Sequence, residues 1–156
     1  MSDFTVPVNS LAKSTVTSIV LVSAGSSPPA GGLDAVRAVA TAVGAKLSVV
    51  TLGRADEWKP LVDDVIDLGP ATKGRLGLPG RAIAVLVKGR AGRQLARRLK
   101  RDTQARSLAS DADIVVALGP PAVLAVRNAT RRTGASAVLG LPGAVRTTRR
   151  LAGLPD

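Results

Sequence analysis

Short apolar runs alternate with helical segments along most of the chain, and this alternation constrains the fold more than any other feature. Five runs are rich in Val, Ile, Leu and Ala, as is typical of strands buried on both faces. They occupy residues 18–22, 47–52, 65–68, 114–118 and 135–141. Because strands joined by helical crossovers are parallel, and a parallel sheet needs helices on both faces, the pattern predicts a single Rossmann-like three-layer α/β sandwich. Its sheet should be mainly parallel, with about five strands in an order that the pattern leaves open.

The segments between these runs predict the helices. In the first, residues 33–43, apolar side chains recur at helical spacing and Gly44 is placed to end the helix. The other helices are expected near 56–62, from 81 to 110 with weak points at Gly89 and Gly92, and from about 120 to Arg132 with Gly134 as a cap.

The length and hydropathy of the chain set its organisation. Its 156 residues, 46% of them hydrophobic, are enough for one globular domain with its own core. That domain is predicted over residues 17–145, between a flexible leader or edge segment at 1–16 and a basic C-terminal tail at 146–156. Neither a secretory signal pattern nor an apolar run of about 18 residues is present. The sequence therefore favours a cytoplasmic protein that can also associate with a membrane surface.

Missing residue types exclude most catalytic chemistry. The chain contains no Cys and no His, and its aromatic residues are Phe4 and Trp58. Disulfides, thiolate and imidazole catalysis, Ser/His triads and zinc or iron–sulfur sites are therefore excluded, and no metal or cofactor is expected. Catalysis would have to come from carboxylates, Lys, Ser or Thr, and aromatic platforms for stacking on bases or sugars are lacking.

Positive charge is concentrated in the second part of the chain. Residues 1–70 hold five basic and seven acidic side chains, whereas residues 71–156 hold 17 basic and four acidic ones. A cationic part of this kind favours a polyanionic partner, namely nucleic acid, an acidic membrane face or a phosphate-rich substrate. The alternative is that the surplus of Arg serves only to keep the surface hydrated.

The segment near residues 90–101 predicts a helix with two unlike sides. Ala91, Leu95 and Leu99 recur every four residues on one side, and basic residues occupy the other. This pattern favours either a helix that presents charge to an anionic surface or a core-packed helix with a hydrated face. The candidate anionic-surface residues are Arg90, Arg93, Arg97, Arg98, Lys100 and Arg101. Nucleic acid is the weaker alternative, since no helix-turn-helix, zinc module or aromatic platform accompanies the arginines.

Glycine-bearing loops follow the predicted strands at the sheet edge where doubly wound folds bind ligands. These loops cover residues 23–32, 53–55, 69–80 and 119–122. The first has neither the GxGxxG spacing of dinucleotide-binding folds nor the Lys and Ser/Thr of a P-loop. It does place two glycines at a helix N-terminus, where a phosphate or sugar oxygen can approach the backbone, although a plain tight connection would look the same. The candidate substrate-binding residues are Gly25, Gly31, Gly32 and Gly119.

Two acidic motifs resemble metal sites. Asp111 and Asp113 fit the DxD pattern, in which paired carboxylates hold a divalent ion against a diphosphate. They precede a predicted strand, at the edge opposite the ligand loops, so we interpret them as a helix-to-strand junction. Asp63, Asp64 and Asp67 also cluster, at the start of a strand, where such a run is typical of a solvated edge.

A longer pattern runs through the first half of the chain. Pro-Pro-Ala-Gly-Gly at 28–32 follows the first strand, and it precedes Leu-Asp-Ala-Val-Arg-Ala-Val-Ala at 33–40 and Gly-Ala-Lys-Leu-Ser-Val-Val-Thr at 44–51. A glycine-bearing loop, the arginine-rich helix and Ala-Asp-Ile-Val-Val-Ala-Leu-Gly at 112–119 come next. This succession resembles the amino-terminal domain of GT-B glycosyltransferases of family 4, over roughly residues 17–141.

The resemblance implies an acceptor-side Rossmann domain in which Gly31 and Gly32 match the glycine loop that lines the interdomain cleft. The family's second domain, which binds the nucleotide-sugar and supplies a Glu-containing motif, has no counterpart, since Glu57 is the only Glu and the family's His after 114–118 is missing. The resemblance therefore implies a glycosyltransferase-like half, either a fragment or a subunit that needs a donor-domain partner, inactive alone. The alternative is a non-catalytic binding module whose basic face binds a protein, an anionic lipid surface or nucleic acid. Acceptor, donor and oligomeric state stay open.

Overall fold

A computed structural model describes residues 15–70 and 80–155 of the chain, without the side chains of 80–88. In this part, five strands form one sheet in which every pair of neighbours is parallel. They are β1 (Ser18–Ser23), β2 (Lys46–Thr51), β3 (Asp64–Asp67), β4 (Ile114–Ala117) and β5 (Ser136–Leu139). The order across the sheet is β3-β2-β1-β4-β5, which the sequence left open. The predicted parallel sheet is thus confirmed.

Helices connect the strands and cover both faces of the sheet. They are α1 (Gly32–Val43), α2 (Ala55–Trp58), α3 (Gly80–Arg101), α4 (Thr103–Asp111), α5 (Pro120–Thr130) and α6 (Leu141–Ala152). Leu33 of α1, Trp58 of α2 and Ala144 of α6 are buried on one face. Leu95 of α3 and Ala122 of α5 are buried on the other, together with part of α4. We call these two helical layers the α1 layer and the α3 layer, and the sandwich has the three layers that the sequence predicts.

Alternate residues of the central strand supply the two cores. In β1, Ile19 and Leu21 face the α1 layer, and Val20 and Val22 face the α3 layer. All four side chains are 0% exposed, because β1 has a neighbour on each side and a helical layer on each face. This double burial explains why the strand reads as a continuous apolar run in the sequence.

Two segments differ from the sequence prediction. The long helix expected over 81–110 is broken at Asp102, whose carboxylate accepts a hydrogen bond from the Ala105 amide at 2.8 Å and starts α4. The expected basic tail, 146–156, instead contributes residues up to Ala152 to α6. Between its basic residues, helix α6 has a buried side that includes Ala144 and Thr148. This side packs toward α1.

The leader expected at residues 1–16 lies mostly outside the described residues. Of its last two residues, Val16 is 2% exposed and belongs to the core beneath the α1 layer. The core therefore includes at least one residue before the predicted start of the domain at residue 17.

Candidate functional site

The main candidate site is a crevice at the carboxyl edge of the sheet, between β1 and β4. From β1 the chain moves outward to β2 and β3, whereas from β4 it moves the other way to β5. The connections that leave these two strands go to opposite layers, α1 on one side and α5 on the other. In doubly wound sheets, ligands bind where the order reverses in this way. The Leu118 amide donates to the Val22 carbonyl at 2.9 Å, which holds the two strand ends together at the base of the crevice.

Three of the four predicted site glycines have a backbone conformation that disfavours a side chain. Gly25 and Gly31, in the loop after β1, have φ of +92° and +84°, and Gly119, after β4, has φ of +96°. A Cβ on Gly25 would lie 2.8 Å from the Leu52 carbonyl oxygen, so this glycine lets the loops after β1 and β2 pack together. No heavy atom lies within 4 Å of a Cβ built on Gly31, so its backbone is open to a ligand.

Gly32, the fourth predicted glycine, has a packing role. A Cβ at this position would lie 3.1 Å from Cδ1 of Leu141, which is buried at the start of α6. Since α1 and α6 lie side by side in one layer, a small residue here allows their N-terminal ends to approach. The structure thus separates the paired glycines, because Gly31 faces open space and Gly32 packs against a helix.

At the crevice, the N-terminus of α5 offers few hydrogen-bond donors, and that of α1, which has no side-chain cap, carries a carboxylate. Helix α5 begins with Pro120 and Pro121, which have no amide N–H, and the Ala122 amide donates back to the Gly119 carbonyl at 3.1 Å. Helix α1 carries Asp34 in its first turn, where a carboxylate already complements the positive end of the helix. Anion sites at helix termini depend on free amides and on an uncompensated dipole. The crevice is therefore better suited to a neutral polar ligand than to a diphosphate.

Polar side chains extend the crevice toward β2. The Ser23 hydroxyl is fully buried and lies 3.0 Å from the Ser26 hydroxyl. Arg54, with a left-handed φ of 60°, donates from Nη1 to Ser27 Oγ at 3.2 Å and to Glu57 Oε1 at 2.9 Å. The charge of Arg54 is thus compensated by Glu57, and its contact with Ser27 joins two loops of the carboxyl edge. The sequence-based prediction did not include Arg54, although the residue follows Gly53 in a loop that was expected at that edge.

The carboxylates of the acidic motifs have structural partners. At the amino edge of the sheet, Oδ2 of Asp113 accepts from the Thr17 amide at 2.7 Å and the Ser18 amide at 3.1 Å, which is the junction expected for the DxD motif. In the acidic cluster, Asp63 Oδ2 accepts from the Leu47 amide at 2.8 Å. Asp67 Oδ1, at the carboxyl edge, accepts from the amides of two loop glycines at 2.8 Å each. These carboxylates hold strands and loops together.

No metal centre is found in the part of the chain that the structure describes, since no three acidic, His or Cys side chains come together there. Two side chains at the surface near α2 have shifted pKa values, since Lys59 Nζ lies 2.9 Å from Asp56 Oδ1. This hydrogen bond lowers the pKa of Asp56 and raises the pKa of Lys59 relative to their ordinary values. Both side chains are exposed, so the pair has the character of a surface ion pair.

Two concavities lie at the amino edge, away from the crevice. One, of about 190 Å³, is lined in part by Arg37, Pro60 and Asp63. The other is an open groove of about 580 Å³ between α4 and the amino ends of β1 and β3. Ligands of doubly wound sheets bind at the carboxyl edge, and we therefore take the crevice rather than these concavities as the candidate site.

The arginine-rich helix α3 has the two sides that its sequence predicts. Leu95 and Leu99 are buried, whereas the other side is exposed over residues 89–101, the part of α3 whose side chains the structure describes. Five of the six predicted surface residues are exposed there, namely Arg90, Arg93, Arg97, Lys100 and Arg101. The sixth, Arg98, is half-buried and differs in role. Its Nη1 donates to the carbonyl oxygens of residues 68, 69 and 70, at 3.1, 2.9 and 2.8 Å, so it fastens the loop after β3.

Comparison with known proteins identified no relative of this chain. No protein-family model matches it, and neither does any curated protein or solved structure. None of the described helices has both the length and the apolar composition needed to cross a bilayer. Proposals on function therefore depend on the residues and geometry given above.

Proposed function

We propose that this chain is the acceptor-side half of a sugar transferase and that it acts together with a separate donor-binding domain. The observation that carries the proposal is the chemistry of the crevice between β1 and β4. It combines exposed glycine backbone at Gly31 and the exposed residues Ser26 and Ser27 with the N-terminus of α5, where Pro120 and Pro121 have no amide N–H. Neutral, hydroxyl-rich acceptors need hydrogen-bonding groups and close backbone approach but no compensating charge.

Among the described residues, those at the crevice do not supply the groups that activate a sugar donor. Transfer from a nucleotide-sugar needs stabilisation of a leaving diphosphate, usually by cations, helix N-termini or a metal ion. Asp34 and the two prolines oppose such a role at α1 and α5, and Arg54 is already paired with Glu57. In this proposal the donor, and the groups that act on it, belong to the partner domain. The isolated chain binds acceptor without transferring sugar.

A second candidate function is a non-catalytic binding module that uses its basic face. It is favoured by a different observation, the row of exposed basic residues on α3. Within the described residues, ion pairs form only among residues 34–64, so none of them involves α3. This surface lies on the outer side of the α3 layer, and the two functions are compatible in one protein.

An NMR titration tests the acceptor proposal directly. The 156-residue chain, labelled with nitrogen-15, is titrated with neutral mono- and disaccharides, sugar alcohols and, separately, nucleoside diphosphates. We expect saccharides to shift the amide signals of Gly25, Gly31 and Gly119, and nucleoside diphosphates to leave these signals in place. Shifts caused by the diphosphates alone would contradict the proposal, as would saccharide shifts confined to the amino edge.

A matched pair of glycine variants makes the titration specific. Gly31 and Gly44 stand at the two ends of α1, both with positive φ and with no heavy atom within 4 Å of a built Cβ. Gly31→Ala and Gly44→Ala should both lose stability through backbone strain, and Gly31→Ala should lose more, because Gly44 is left-handed helical (φ 70°, ψ 24°) whereas Gly31 (φ 84°, ψ −55°) is not. Only Gly31→Ala should weaken saccharide binding, by about tenfold or more, because only Gly31 lies at the crevice. Equal binding by both variants would remove Gly31 from the site.

A further inference from the structure

The basic surface of this protein extends beyond helix α3. Helix α5 also exposes basic side chains, Arg127 and, at its C-cap, Arg131. Helices α3 and α5 both bury their apolar sides on the same face of the sheet, through residues that include Leu95 and Ala125. Their exposed sides therefore point to the same side of the molecule.

Close packing makes α3 and α5 one continuous surface. A Cβ on Gly92 of α3 would lie only 2.6 Å from the Pro121 carbonyl oxygen of α5, so the glycine allows the helix backbones to approach directly. The two helices lie side by side without an intervening element. We call their exposed side the α3–α5 face and define it by Arg90, Arg93, Arg97, Lys100, Arg101, Arg127 and Arg131.

Acidic residues do not neutralise this face. Between residues 89 and 132 the chain has three acidic side chains. The carboxylate of Asp102 caps α4, that of Asp111 lies 3.4 Å from Ser107 Oγ, and that of Asp113 binds the backbone at the amino end of β1. Since no ion pair of the described residues includes a basic residue of the face, its positive charge is available to an external partner.

We propose that the α3–α5 face docks on a membrane surface that contains acidic lipids. A layer of two adjacent helices presents a broad surface, which suits a bilayer better than the groove of a duplex. Two apolar side chains of α5, Val123 at 41% and Leu124 at 44% exposure, accompany the arginines and can enter the headgroup region. Trp58, the only aromatic residue among those described, is fully buried, so base stacking on this face is absent. The docking proposal is independent of the acceptor site.

Vesicle co-sedimentation tests the proposal. Vesicles of phosphatidylcholine with about 30% phosphatidylserine should bind the wild-type chain at 0.05 M NaCl, and pure phosphatidylcholine vesicles should not. Each basic residue near an acidic membrane strengthens binding about fivefold, so Arg93→Glu, Arg97→Glu and Arg101→Glu together should weaken it at least about 100-fold. Arg127→Glu with Arg131→Glu should also weaken binding, because the face includes α5. Binding should fall steeply as NaCl is raised to about 0.5 M.

A matched control separates the face from net charge. Arg146→Glu, Arg149→Glu and Arg150→Glu change the charge by the same amount on α6 of the α1 layer without breaking an ion pair of the described residues, and this variant should retain most of the binding. Circular dichroism shows whether each variant folds, and Gln replaces Glu wherever one does not. The proposal is overturned if wild type does not bind acidic vesicles or if both triple variants lose binding equally. Tighter binding to duplex DNA or RNA than to vesicles at 0.15 M NaCl would assign the face to nucleic acid instead.

Discussion

Two glycines of α3, Gly89 and Gly92, have opposite effects on stability, and the sequence does not distinguish them. Both Gly89 and Gly92 lower helix propensity by about 1 kcal/mol relative to Ala. A Cβ on Gly89 would meet only the tip of Arg93, at 3.9 Å, whereas one on Gly92 would lie 2.6 Å from the Pro121 carbonyl oxygen. We expect Gly89→Ala to stabilise the protein by about 0.5–1 kcal/mol and Gly92→Ala to destabilise it by about 1–3 kcal/mol. Chemical denaturation of the two variants measures this, and stabilisation by both would show that α3 and α5 do not pack closely at Gly92.

The positions of candidate-site residues were predictable from the sequence where they depend on neighbouring residues of the chain. Glycine-bearing loops after strands are visible in the sequence, and Gly25, Gly31 and Gly119 do stand in the loops after β1 and β4. The position of Arg98 was not predictable, because the carbonyls that it binds are 28 to 30 residues earlier in the chain. Helical periodicity places Arg98 at the margin of the basic side, and only the tertiary packing shows that it serves the loop after β3.

At the scale of elements, the alternation of apolar runs with helical segments predicted the fold, because each strand and each helix is specified by its own residues. The strand order depends on which crossovers pack together, and it follows from contacts such as that of Gly32 with Leu141, far apart in the chain. Helix α6 was missed because three of its residues are Arg and its apolar stripe is narrow. The break between α3 and α4 was expected at a glycine, but a capping carboxylate determined it.

That break gives a prediction at the element scale. The Asp102 carboxylate accepts from the Ala105 amide at 2.8 Å at the start of α4. Asp102→Ala should destabilise the protein by about 1 kcal/mol, whereas Asp102→Asn keeps an acceptor and should cost less. Asp111→Ala is the matched control, since it removes the same charge from the other end of α4, where the carboxylate lies 3.4 Å from Ser107 Oγ. Thermal and urea unfolding measure all three, and an equal loss from Asp102→Ala and Asp111→Ala would show that charge rather than capping matters.

At the scale of the whole molecule, the distribution of charge dominates. The chain has a formal net charge of +11, and the ion pairs of its described residues lie within residues 34–64. Three of these four pairs join residues three apart in the sequence, and such exposed pairs contribute little to stability. Repulsion among the basic residues of the α3 layer opposes folding without a comparable compensation. Salt weakens both effects, and with a net charge of +11 we expect the repulsion to be the larger.

We therefore expect NaCl to stabilise this protein, although it weakens membrane docking. Raising NaCl from about 0.02 to 0.5 M shortens the Debye length from about 20 Å to about 4 Å, which screens the repulsion across the α3–α5 face. Each 1 kcal/mol of relieved repulsion should raise the melting temperature by about 2–4 °C. The Arg93→Glu, Arg97→Glu and Arg101→Glu variant, with a net charge near +5 by simple counting, should start from a higher melting temperature at low salt and gain less from NaCl. Differential scanning calorimetry of wild type and variant across this range decides the matter. A wild-type melting temperature that falls with NaCl would mean that attractive pairs outweigh the repulsion, and an equal rise in both proteins would locate the repulsion elsewhere than on the α3–α5 face.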